Sequence, residues 1–159
     1  MRTLLRVGLW LAYAVYFVIV AYLVWNPEPA VPSYAVWHVT DWLGVAGISV
    51  PPQYVEFGLN VLMFVPMSLV GSFVLPRLRI ADWVLVGFVG SFAIEMVQLL
   101  FLPSRSADPK DVVSNTTGAL VGAIIAWVLV RIWRWGHPTS PAQHANGRQV
   151  AAPPVAEAR

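Results

Sequence analysis

The sequence predicts an all-α polytopic membrane protein with four transmembrane helices, and three observations predict it. Hydrophobic residues make up 58% of the 159-residue chain and charged residues only 11%, against roughly 45–50% and 25% in soluble domains. Mean hydropathy is +0.66, and so few charges cannot cover a water-facing surface. Four apolar stretches are each long enough for the roughly 20 residues of a spanning helix.

The first stretch, residues 7–25, carries no charge and follows Arg2 and Arg6. Its length exceeds the roughly 7–15 apolar residues of a signal-peptide core. Asn26-Pro27-Glu28-Pro29 follows without a small-x-small cleavage site, so a retained helix is expected. Residues 55–75, 83–102 and 112–134 complete the set, giving a membrane domain over residues 1–135. Residues 26–54 hold Trp37, His38, Asp41 and Trp42 between Pro-containing ends. Two readings are open there: a covering loop, or a short amphipathic or re-entrant helix with its Trp rings at headgroup depth. Residues 136–159 are rich in Pro, Ala and Gln without periodicity and read as a disordered cytoplasmic tail.

Orientation follows from the basic residues. Arg2 and Arg6 precede the first helix, Arg77 and Arg79 separate the second from the third, and Arg131 and Arg134 end the fourth. The positive-inside rule then predicts both termini in the cytoplasm. The loop around residues 103–111 falls outside, although it holds Arg105 and Lys110. That conflict suggests a task for its charges.

An ionisable side chain within a span costs about 2.5–3.5 kcal/mol at the helix centre on insertion scales, so each such residue marks a candidate site. The second helix carries Glu56 and Asn60, four apart and on one face. The third carries Glu95 and Gln98, three apart; the fourth opens with Asp111, Ser114, Asn115 and Thr116. At 1.5 Å per residue, Glu95 lies about 10 Å from the outer end of its helix and Asn115 about 6 Å inside its own. All of these fall in the predicted outer half, under the loop bearing Arg105, Asp108 and Asp111. Small residues recur every four positions on the same helices, as Gly87-Ser91-Glu95 and as Ser114-Gly118-Gly122-Ala126. Such stripes let helix backbones approach closely and turn Glu95 into the bundle. Pro66 is expected to kink the second helix.

Several function classes are set aside. A net charge of +2 without a basic cluster offers no nucleic-acid surface. With no Cys, disulfides, thiolate metal sites and thiol nucleophiles are excluded. Ser104 and Ser106 lack a nearby base, and His38 with Asp41 makes a poor hydrolytic set. No cofactor is expected. A divalent cation is the alternative, because Glu56, Glu95, Asp108 and Asp111 against Arg105 and Lys110 leave a local formal charge of −2 and offer the oxygen ligands that Mg²⁺ or Ca²⁺ takes. A binding module would use Arg105 as a two-pronged donor for carboxylate or phosphate. The plain structural alternative is an Arg–Asp–Asp lattice with Glu95, Gln98 and Asn115 as interhelical glue.

The runs Asn60-Val61-Leu62-Met63-Phe64-Val65-Pro66-Met67, Ile94-Glu95-Met96-Val97-Gln98, Arg105-Ser106-Ala107-Asp108 and Asp111-Val112-Val113-Ser114-Asn115-Thr116-Thr117-Gly118 resemble the VanZ-like family in order and spacing. The resemblance covers about residues 55–130 and departs from the family at Met67-Ser68, where an apolar-Gly pair is usual. It implies a multi-pass protein of the bacterial cell membrane, associated through the family's founding member with resistance to the glycopeptide antibiotic teicoplanin. It carries over Asn60, Glu95, Gln98, Arg105, Asp108, Asp111 and Asn115; Glu56 rests on the residue reading alone. The expectation is an outward-facing polar pocket that binds an envelope lipid, a lipid-linked envelope precursor or a glycopeptide-related ligand. An enzyme remodelling such a precursor is the alternative.

Overall fold

The computed structural model describes residues 2–25, 30–102 and 108–136. Among them are five helices and no strand: α1 (Arg2–Trp25), α2 (Ala30–Val45), α3 (Pro52–Val74), α4 (Ile80–Phe101) and α5 (Pro109–Gly136). Four helices are long and apolar enough to cross a membrane, over Val7–Trp25, Pro52–Val74, Ile80–Phe101 and Pro109–Trp135. The all-helical, four-span architecture is as predicted. α1 begins at Arg2 rather than at the first uncharged residue, because helical hydrogen bonding does not stop where the apolar run stops.

The open question over residues 26–54 resolves into a helix. α2 is 16 residues long, short of the roughly 20 that cross a bilayer. Its end is set by Gly47 at φ 79°. Ile48 N–H donates to Leu43 O at 2.9 Å and Gly47 N–H to Gly44 O at 3.0 Å, the paired bonds of a Schellman cap in which glycine takes the left-handed position. Pro51 then precedes the first residue of α3, and Pro52 opens it, where the missing N–H costs nothing. At the next turn the Asp82 carboxylate accepts from Arg79 N–H at 2.7 Å. That contact starts α4 at Ile80 and places a negative charge in a first turn, where the helix dipole favours it.

The chain divides into a unit up to Val128 and a unit starting at Leu129. In the second, the described residues are the last turns of α5, where the Arg131 guanidinium sits 5.5 Å from the centroid of the Trp135 ring. In the first, large apolar side chains face outward, among them Leu85, Phe88, Phe92, Leu99 and Leu100 of α4. Ser68, Ser91, Ser114 and Ala119 are completely buried, beside larger buried side chains such as Phe64, Met67 and Trp83. Large apolar side chains on the outside and small residues where helices meet suit a lipid surround.

Glycines set the helix spacing. A Cβ on Gly118 would collide with the Val61 carbonyl, and one on Gly122 with the Val65 carbonyl and Ser68 Oγ. Both therefore serve the α3–α5 contact. Gly87 of α4 instead opposes Ala119 of α5. The two stripes of small residues consequently do not face each other; α5 presents one line of small residues to α3 and an adjacent line to α4. α3 also contacts α1 and α2. Tyr13 Oη donates to Met67 O at 2.9 Å and Tyr16 Oη to Met63 O, which pins α1 along α3 beside the cluster of Phe64, Met67 and Ala119.

Candidate functional site

Three helix ends meet at one end of this unit: the start of α3, the end of α4 and the start of α5. Glu56 and Asn60 lie a turn apart on α3, Glu56 exposed and Asn60 half-buried. On α4, Glu95 is 4% exposed and Gln98 7%. On α5, Asp111 is half-buried and Asn115 buried. These six side chains line one cavity of about 420 Å³. Its remaining wall is apolar, with Leu23 and Val24 from α1, Ala35 and Val36 from α2, Leu59, Leu62 and Met63 from α3, and Ile94 from α4.

Hydrogen bonds between helices hold the polar wall. Asn60 Nδ2 donates to Asp111 Oδ1 at 2.8 Å, linking α3 to α5. Asn115 Nδ2 donates to Ser91 Oγ at 2.8 Å, and the Ser91 hydroxyl reaches Asp111 O at 3.4 Å, linking α5 to α4. Gln98 Nε2 donates to Val24 O at 3.0 Å, which ties α4 to the end of α1. Glu95 Oε2 accepts from the Asp108 N–H at 2.9 Å, so a buried carboxylate holds the entry to α5. The Asn115 amide oxygen is buried without a hydrogen-bond partner.

The sequence-predicted residues thus divide. Glu56, Asn60, Glu95, Gln98, Asp111 and Asn115 share the cavity. Asp108 does not line it. Its Oδ1 accepts from Lys110 N–H at 2.9 Å and its carbonyl from Asp111 N–H at 2.9 Å, which makes it the cap on the first turn of α5, with Pro109 next. Arg105, with Ser104 and Ser106, lies outside the described residues, as do residues 137–159 of the predicted tail. His38 is exposed on α2 and stacks with Tyr34 at 6.2 Å between ring centroids; it takes no part in the lining.

Ser91 is the residue that sequence reasoning undervalued. It stands four before Glu95 and reads as a small packing residue, yet it joins the Asn115 side chain to the Asp111 backbone. The apolar wall from α1 and α2 had no sequence signal, because a lining Leu or Val is indistinguishable from a lipid-facing one. Among the described residues, no three His, Asp or Glu side chains come together in a group that could hold a metal ion. What the arrangement offers is hydrogen-bonding and charge recognition beside a hydrocarbon wall.

A family model described as VanZ/LLP1 matches residues 10–131, a span that reaches well ahead of the motifs at residues 55–130 and takes in α2 and most of α1. No curated protein and no solved structure matches the chain.

Proposed function

The chain belongs to the VanZ/LLP1 family, and from that membership we propose that its polar cavity binds an envelope lipid or a glycopeptide-related ligand and thereby influences resistance to teicoplanin-type antibiotics. The observation that carries the reading is the gathering of six polar side chains from three spanning helices around one cavity. Polar groups inside spans are costly and mark functional positions by default. Helix association alone would be served by closed pairs, whereas here exposed Glu56 and an open apolar wall accompany them.

In this reading the cavity end faces away from the cytoplasm of a bacterial cell membrane, an orientation supported by the basic residues at the other helix ends. The apolar wall takes hydrocarbon, and the carboxylates and amides take the head. Arg105, three residues before the α5 cap, supplies a two-pronged donor to a carboxylate or phosphate. Glu95→Gln and Arg105→Ala test this, with membrane abundance measured beside teicoplanin susceptibility. The expected result is normal abundance with lost resistance; unchanged resistance at normal abundance would remove the cavity from the explanation. Mass spectrometry of envelope lipids from cells with and without the protein separates binding from catalysis, since only an enzyme leaves a new product.

A further inference from the structure

We propose that the cavity is loaded sideways from one leaflet of the bilayer, so that its ligand is a lipid with an acyl chain and not a solute arriving from water. The inference deepens the pocket reading above and rests on it. The lining of the cavity is unevenly covered. Its buried members are Val24 of α1, Glu95 and Gln98 of α4, and Asn115 of α5. Its exposed members, Ala35, Glu56 and Leu62, all belong to α2 and α3. The cavity is therefore closed by α1, α4 and α5 and opens on the side that α2 and α3 form. Leu62 is 64% exposed and belongs both to the cavity wall and to the outer surface of α3, so the opening reaches that surface.

Depth turns this opening into a statement about the ligand. α3 begins at Pro52 and is long and apolar enough to cross a membrane. At 1.5 Å per residue, Glu56 lies about 6 Å along it and Leu62 about 15 Å. Half of a hydrocarbon core about 30 Å thick is about 15 Å. The mouth thus runs lengthwise for about 9 Å, from near headgroup level at Glu56 to mid-bilayer at Leu62. Water does not solvate a helix surface at that depth, whereas acyl chains do. A solute from the aqueous side meets only the upper end of such a mouth. A lipid fits all of it, its head passing Glu56 toward the buried polar wall while its chain lies over Leu59 and Leu62. Lipid tails are as apolar as Leu, so the chain moves from leaflet to mouth at little cost and only the head exchanges its surroundings.

The test uses the purified full-length protein in phosphatidylcholine vesicles. Traces of phosphatidylethanolamine or phosphatidylglycerol, each with a mid-chain diazirine, are irradiated there, and the labelled residues are read by tandem mass spectrometry. The expected result is that one or both lipids label Met63 or Ile94, half-buried residues of the cavity wall. Leu85 of α4, 61% exposed and outside the lining, is labelled too and serves as the reference. Leu62→Trp narrows the mouth at an exposed position and should lower labelling of the cavity residues about tenfold with Leu85 unchanged. Leu62→Ala widens the mouth and should keep that labelling; an equal loss in both variants would overturn the steric account. Undiminished cavity labelling in Leu62→Trp would mean that the lipid enters elsewhere, overturning the sideways mouth and leaving the pocket. Labelling of Leu85 alone would overturn the lipid ligand. Met63→Trp, which fills the cavity, tests the pocket reading separately: unchanged teicoplanin susceptibility at normal membrane abundance would sink both.

Discussion

Ser91 and Asn115 show how a single hydroxyl can organise a membrane interior. Asn115 Nδ2 has the Ser91 oxygen at 2.8 Å, and that hydroxyl in turn faces the Asp111 carbonyl. Interhelical hydrogen bonds of this kind contribute about 0.6 kcal/mol on average and up to about 1.7. Ser91→Ala leaves a second buried group of Asn115 unsatisfied, so its cost should sit at the upper end of that range. A double-mutant cycle of Ser91→Ala with Asn115→Ala, followed by thermal unfolding in detergent, should show a coupling of about 1 kcal/mol. Gln98→Leu is isosteric in bulk and removes only the bond to Val24 O. We expect a loss of about 1 kcal/mol and looser attachment of α1, read as faster proteolysis near Trp25.

Glycines decide the behaviour of whole helices. Gly118→Ala must push apart α3 and α5, because the new methyl meets the rigid Val61 carbonyl; overpacking of that kind costs about 1–3 kcal/mol. Gly58→Ala on the same α3 meets nothing within 4 Å. It should be neutral or stabilising by up to about 1 kcal/mol, the helix propensity gained. Melting temperatures of the two variants side by side distinguish packing from propensity. Gly47→Ala acts differently again, through the left-handed residue that ends α2. It should cost about 1–2 kcal/mol and shift the seating of α2, whose Ala35 and Val36 line the cavity.

On the scale of the whole molecule, α4 is long and apolar enough to cross a membrane, and a spanning α4 puts the turn at Arg79 and the start of α5 at Lys110 on opposite faces. The chain contains no Cys, which makes single-cysteine labelling clean. Arg79→Cys should react with a membrane-impermeant maleimide only after the cell is opened, and Lys110→Cys in intact cells. Labelling of both from the same side would contradict a spanning α4. Labelling in the reverse order would leave the span intact and overturn the orientation that the basic residues predict.

Spans, turns and the polar face of each helix were legible in the sequence because the bilayer imposes them locally. Twenty apolar residues must be helical to satisfy their own backbone, and an acid among them must find protection. Glu95 and Gln98 three apart, or Glu56 and Asn60 four apart, could therefore be assigned to faces without knowing any neighbour. Partners could not be assigned, since a partner depends on how helices are rotated against each other. Tertiary structure alone made Asp108 a helix cap instead of a cavity residue, turned the Gly118–Gly122 stripe toward α3 rather than α4, and folded residues 30–45 into the helix that lends Ala35 and Val36 to the cavity's apolar wall. In lipid, composition dictates which segments cross; shape complementarity between nearly identical apolar surfaces dictates who meets whom, and a one-dimensional pattern does not record shape.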